Sequence, residues 1–189
     1  MTVLIGYADK ENHTCYVGGD YGVSFFGSYR LITDTPKVFH YRGLDSVIIA
    51  CSGSIRMCNL IYADTDIFPD KFNPCDIDLK YITRNIVSVL KKYSDTLDPN
   101  DNAWDIIMAV KDRLFVIQGD CSVFEMNDDH NLVTLGSGCE TAYGAMSALL
   151  FMNKRTKIYS IDNLIAKAID ITADFNMGIS HTKTILRTQ

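Results

Sequence analysis

No uninterrupted apolar stretch among the 189 residues approaches the roughly 18 that a membrane-crossing helix needs, so no membrane partner is expected. The residues after Met1 lack a basic segment followed by an apolar run, so no secretory leader is expected either. Basic residues are outnumbered, 18 Lys and Arg against 23 Asp and Glu, and the net charge of −5 argues against a nucleic-acid partner. The four histidines (His13, His40, His130, His181) show no metal-ligand spacing such as HxxxH, and none is assigned to catalysis. Six cysteines (Cys15, Cys51, Cys58, Cys75, Cys121, Cys139) never form a CxxC pair. Without a secretion signal they read as free thiols of a reducing compartment, and the expected location is the cytoplasm. With only four prolines, no low-complexity tract and no internal repeat, nothing marks a linker, and residues 1–189 are expected to form one domain.

What is present is a blockwise alternation of β-rich and helical segments. Thr2–Tyr7 and Thr14–Gly19 read as a hairpin across the polar Asp9–His13 turn. A looser Gly- and Ser-containing region follows. Lys37–Tyr41 and Ser46–Cys51 form a second expected strand pair, broken at Ser52-Gly53-Ser54, where a helix over Ile55–Ala63 begins. Beyond Pro69 and Pro74, Leu79, Ile82, Ile86, Leu90 and Tyr93 recur at helical spacing on one face. Asp98-Pro99-Asn100-Asp101 ends that region. Strands are then expected at Trp104–Val110, Arg113–Gln118, Ser122–Met126 and Leu132–Leu135. Helices over Cys139–Met152 and Ser160–Phe175 follow, the second with Ile161, Leu164, Ile165, Ala168 and Ile169 on one face, and a strand at His181–Leu186 closes the chain. Strands in blocks disfavour a doubly wound parallel sheet. The pattern predicts an α+β fold, a four-layer αββα sandwich with two antiparallel sheets between helix pairs.

The chemically unusual position is Thr2. Removal of Met1 would leave a free α-amine, whose ordinary pKa of roughly 7.7–8.0 lets it take the proton of its own hydroxyl and activate Oγ. Threonine is also a common second residue, so the position alone carries little. Its surroundings carry more: a strand ending in Gly after the threonine (Thr2-Val-Leu-Ile-Gly6), a hairpin returning to Gly19-Asp20, then Pro36-Lys37-Val38. An apolar strand ends in a small-Gly-small turn (Ile49-Ala-Cys-Ser-Gly53-Ser54), and Leu135-Gly136-Ser137-Gly138 opens a helix containing Tyr143-Gly-Ala-Met-Ser-Ala-Leu-Leu150. The last helix and strand carry Ala168–Asp174, Ser180-His181 and Thr184-Ile185. In that order, from Thr2 to about Leu186, the chain resembles the HslV peptidase and the proteasome β-subunits, and HslV more than the eukaryotic proteasome.

The resemblance implies an N-terminal nucleophile hydrolase fold and threonine-type peptide-bond hydrolysis. Thr2 would supply the nucleophilic Oγ and the amine. Lys37 would stabilise charge beside it, held by Asp20. The backbone N–H of Gly53 would form the oxyanion hole, and Ser137 would relay the proton of the amine. Ser24 would bind substrate backbone. No cofactor is required by that chemistry, although the backbone carbonyls of Ala173, Asn176 and Ile179 would hold a structural Na⁺. The implied partners are a peptide or unfolded protein as substrate, further copies of the chain in stacked rings, and an ATP-dependent unfoldase.

Each residue also has a structural reading. Lys37 at a strand start is commonly solvated, Asp20 can organise a turn, and Gly53 can serve only the strand-to-helix turn. Ser137 with Glu140 three residues later fits a capping box. The chain departs from the family at Val3, where a small polar residue is usual, and at Asn176, where proteasome β-subunits carry Asp. Two rivals remain: a noncatalytic proteasome-like assembly subunit that retains Met1, and an N-terminal nucleophile amidohydrolase acting on a small molecule.

Overall fold

The computed structural model describes residues 1–25, 29–32, 35–63, 67–69, 72–97 and 103–189. The expected break at Asp98–Asp101 lies outside the described residues. Strands β1 (Leu4–Asp9) and β2 (Thr14–Asp20) form the expected hairpin. They are flanked by β10 (Leu132–Leu135) and β11 (Lys183–Arg187), giving a four-stranded antiparallel sheet in the order β10-β1-β2-β11. The second sheet is also antiparallel, in sequence order β5 (Val38–His40), β6 (Val47–Gly53), β7 (Trp104–Val110), β8 (Arg113–Gln118) and β9 (Val123–Glu125).

Each sheet buries both faces, which explains why its central strands read as nearly continuous apolar runs. Leu4, Ala8, Cys15 and Val17 of the first sheet meet Ile48, Ala50, Ile107, Ala109 and Leu114 of the second in the layer between them. On the far side of the first sheet, Val3 and Ile5 pack on α4 (Cys139–Thr156) and α5 (Ile161–Phe175). On the far side of the second, Ile49, Cys51, Ile106 and Phe115 pack on α1 (Ile55–Ala63) and on the helical segment from residue 79 to 94. The result is the αββα sandwich with both sheets antiparallel.

Three local expectations change. The region left loose by its composition contains a separate hairpin, β3 (Gly22–Phe25) and β4 (Tyr29–Ile32). The predicted single-faced helix is three pieces: α2 (Leu79–Tyr81), a π-helical turn (Ile82–Ile86) and α3 (Val87–Ser94). The wider turn shifts the angular register, so Ile82, Ile86 and Leu90 are buried whereas Leu79 is 40% exposed. Finally, the first strand begins at Leu4 and not at Thr2. Val3 donates its N–H to the Asp20 side chain (3.0 Å) in place of a ladder partner, so Thr2 stands just outside the sheet.

Candidate active site

Thr2 is stitched in place by the turn that precedes α4. Its N–H donates to Ser137 Oγ (3.2 Å), and its carbonyl accepts the N–H of Gly138 (3.2 Å). The backbone of Gly136 passes so close that a Cβ there would lie 2.3 Å from the Thr2 carbonyl oxygen. Gly136 also has φ +87°, a conformation open to glycine at little cost. Gly136→Ala is therefore expected to destabilise the fold by at least about 2 kcal/mol and to displace Thr2, measured by urea unfolding. Ser137 does not cap α4, contrary to the capping-box reading. Gly138 occupies the cap position, no side chain caps it, and the Ser137 hydroxyl faces Thr2 instead.

Asp20 ends β2 beneath Thr2, essentially without exposure. Its Oδ1 accepts from the N–H of Val3 (3.0 Å) and from Lys37 Nζ (3.0 Å). Its Oδ2 accepts from the N–H of Gly22 (2.8 Å) and of Ser180 (3.0 Å). Four donors from four chain segments thus converge on one carboxylate. Lys37, just ahead of β5, leaves its side chain only 10% exposed and points Nζ at Thr2 Oγ1, 2.9 Å away. The same ammonium donates to the carbonyls of Gly22 and, at 3.4 Å, Met1. Burial pulls Lys37 below the usual lysine range, and Asp20 opposes that by Coulomb attraction and a hydrogen bond. The α-amine of Met1 is likewise lowered, first by burial and then by the Lys37 charge, with Asp20 opposing.

A pocket of ≈ 290 Å³ opens beside Thr2 and Lys37, walled by Val23, Cys51, Gly53, Ile55 and Cys58 among others. Gly53 is the last residue of β6, with φ +89°, and α1 begins two residues later at Ile55. A Cβ at Gly53 would lie 2.0 Å from the Ala103 carbonyl oxygen, so the turn that brings this backbone to the pocket demands glycine. The structure therefore brings together Thr2, Asp20, Lys37, Gly53 and Ser137. Ser24 lies in β3, paired in register with Arg30 and next to the pocket-lining Val23. Ala173 lies in the last turn of α5, Asn176 caps that helix, and Ile179 donates its N–H to the Asn176 carbonyl (3.0 Å). Sequence reasoning missed the Ser180 N–H and the Gly22 N–H and carbonyl as parts of the Asp20–Lys37 network. Backbone groups leave no residue-type signal, and only the nearness of Gly22 to Asp20 hinted at one of them.

No protein-family profile and no curated protein matches the chain by sequence. Solved structures do match. Eukaryotic HslV from Trypanosoma brucei superposes with a TM-score of 0.68 at 20% identity, covering 99% of both chains. BPH from Thiobacillus denitrificans, solved in complex with epoxomicin, gives 0.72 at 18% identity over 100% of this chain and 98% of that one. Anbu (ancestral β-subunit) from Yersinia bercovieri gives 0.67 at 10% identity over 99% and 81%. The chain has the HslV/proteasome-like N-terminal nucleophile hydrolase fold. In this HslV-like fold, the convergence on Thr2 occupies one end of the sandwich, where the ends of β2 and β6, the approach to β5 and the turn before α4 meet. Among the described residues, no helix is long and apolar enough to cross a membrane.

Proposed function

We propose that the chain is a threonine-type endopeptidase of the proteasome/HslV kind, matured by removal of Met1. The observation that carries this reading is Thr2 Oγ1 held 2.9 Å from a buried Lys37 ammonium, itself anchored on Asp20. Loss of Met1 turns the Thr2 N–H, now bonded to Ser137, into an α-amine in the field that lowers the Met1 amine. Such an amine is a base near neutral pH. It takes the Oγ proton while Oγ attacks the substrate carbonyl, with Lys37 stabilising the negative charge. The Gly53 N–H receives the oxyanion. The proton passes to the departing amine, leaving an ester on Thr2 that water hydrolyses, with Ser137 relaying protons.

Ser24 binds substrate backbone in this reading, and the pocket beside Gly53 takes a substrate side chain. Peptides and unfolded proteins are the substrates. Copies of the chain assemble into stacked rings in the cytoplasm, where an ATP-dependent unfoldase feeds them. A helical assembly is described for the Anbu complex of Pseudomonas aeruginosa, which shares the fold at 10% identity and a TM-score of 0.67. The carbonyls of Ala173 and Asn176 at the C-terminus of α5, where carbonyls lack intrahelical partners, and of Ile179 in the segment beyond it are neutral oxygens that suit a structural Na⁺. The Asn176 oxygen already spends one lone pair on the Ile179 N–H.

A second reading rests on Met1. Its carbonyl accepts from Lys37, and its side chain packs against Gly178, where a Cβ would lie 2.4 Å from Met1 Cε. A chain that keeps Met1 has an amide at Thr2 and is a noncatalytic assembly subunit. Intact-mass measurement of natively expressed protein, followed by labelling with an electrophilic peptide, separates the readings. The peptidase reading expects loss of Met1 and one adduct on Thr2. Met1 retained throughout the population would sink it, and turnover of small amides without peptide cleavage would point to an amidohydrolase.

A further inference from the structure

The pocket beside Thr2 holds a second pair of nucleophilic atoms that peptide hydrolysis does not use. Cys51 lies on β6 two residues before Gly53, and Cys58 lies in α1 one turn beyond its start. The strand-turn-helix connection folds back, so both side chains line the same pocket. Cys51 is fully buried, whereas Cys58 is partly exposed. Cys51 belongs to the buried cluster against which Cys58 packs, and Cys51 Sγ lies 3.8 Å from the Ser52 carbonyl oxygen.

Their environments are split in opposite directions. The neighbouring Cys51 thiol lowers the Cys58 thiol, burial opposes it, and the Lys37 charge lowers it further. Burial raises the Cys51 thiol well above its ordinary value, and its interaction with Cys58 adds to that. One sulfur is thus the readier thiolate and the accessible one, with the protonated Cys51 thiol in the wall of the same pocket. By contrast, Cys15 is buried in β2 and pushed up to about 12 by that burial.

We propose that Cys58 and Cys51 are an oxidisable thiol pair in the wall of the Thr2 pocket, with hydroperoxide as the oxidant. The Cys58 thiolate attacks the terminal oxygen of hydrogen peroxide, the O–O bond breaks, and hydroxide leaves to become water. Cys58 is then a sulfenic acid. Cys51 gives up its proton and attacks the Cys58 sulfur, the S–O bond breaks, and the oxygen departs as a second water. Two thiols and one peroxide yield one disulfide and two waters, the sulfur pair losing the two electrons that the peroxide gains. The cross-link ties α1 to β6 at the pocket wall and consumes both thiols there. Dithiol reductants reverse it. The chemistry stands whether or not Thr2 is a nucleophile.

The test treats the full-length chain with stoichiometric hydrogen peroxide, blocks remaining thiols with an alkylating agent, and maps the digest by mass spectrometry. The expected product is a Cys51–Cys58 linked peptide, lacking two hydrogens and restored by dithiothreitol. Cys58 should lose its alkylation about tenfold faster than the exposed Cys75. In Cys51→Ser, dimedone should capture a sulfenic acid at Cys58; in Cys58→Ser, Cys51 should remain unoxidised. Oxidation of Cys75 or Cys121 with Cys51 and Cys58 both still alkylatable overturns the proposal. So does dimedone capture at Cys51 in Cys58→Ser. Because the linked peptide is sought first in the unsubstituted protein, a variant that fails to fold does not shield the idea.

Discussion

Replacing Asp20 by alanine is expected to destabilise the protein by about 3–5 kcal/mol, more than any single change to the other site residues. The carboxylate is buried and satisfies the N–H groups of Val3, Gly22 and Ser180 together with the Lys37 ammonium. Its removal strands three backbone donors and one nearly buried positive charge, each of which costs free energy without a partner. Lys37→Met is the milder change, because the carboxylate left behind keeps its three N–H donors. The double variant Asp20→Ala/Lys37→Met should recover part of the Asp20→Ala loss, since no unpaired ammonium is then buried. Urea unfolding at one fixed protein concentration measures all three, the fixed concentration holding any assembly equilibrium constant. An Asp20→Ala chain within about 1 kcal/mol of the unsubstituted protein would show that the convergence on this carboxylate does not hold the site together.

Thr2→Ala is expected to behave in the opposite way, losing peptide cleavage by about a thousandfold or more while stability stays within about 1 kcal/mol. The alanine keeps the backbone bonds to Ser137 and Gly138 and removes the hydroxyl facing Lys37 together with one methyl group. Thr2→Ser, which keeps Oγ and the amine, should retain cleavage. A fluorogenic peptide assay with calorimetric melting of each variant reads both quantities. Cleavage that survives in Thr2→Ala would remove Thr2 from the chemistry, whatever the state of Met1.

The contrast between these two positions reflects how differently they were legible in the sequence. Thr2 is visible through the order of motifs that follow it, Gly19-Asp20, Pro36-Lys37-Val38, Gly53 and Ser137, since a threonine at position 2 carries little alone. Asp20 is visible only as a residue after Gly18-Gly19, and nothing local distinguishes a turn-forming aspartate from one that gathers four donors. Ser137 shows the same limit: with Glu140 it has the spacing of a capping box, but its hydroxyl faces a residue 135 positions away. The cysteine pair left no such signal: Cys51 and Cys58 have no CxxC spacing, and only the return of α1 over β6 brings them to one pocket.

Local periodicity determined most of the elements: the first hairpin, β6 through β10, α1, α4, α5 and the closing strand, and therefore the blockwise order that demands stacked antiparallel sheets. Burial imposes a period of 2 or 3.6 on the chain, and that period is written in consecutive residues. Where local signals were weak or ambiguous, tertiary packing decided. It placed the β3–β4 hairpin in a composition that reads as loop, and it set a π turn into the helical region from 79 to 94, exposing Leu79. It also stopped the first strand at Leu4, because the Asp20 carboxylate competes successfully for the Val3 N–H. By itself the sequence determined the layers and the presence of a threonine at position 2. Only the tertiary structure put Lys37, Asp20 and Ser137 around that threonine, since hydrogen bonds between segments 17 to 135 residues apart are made by packed layers and leave no periodic trace in the chain.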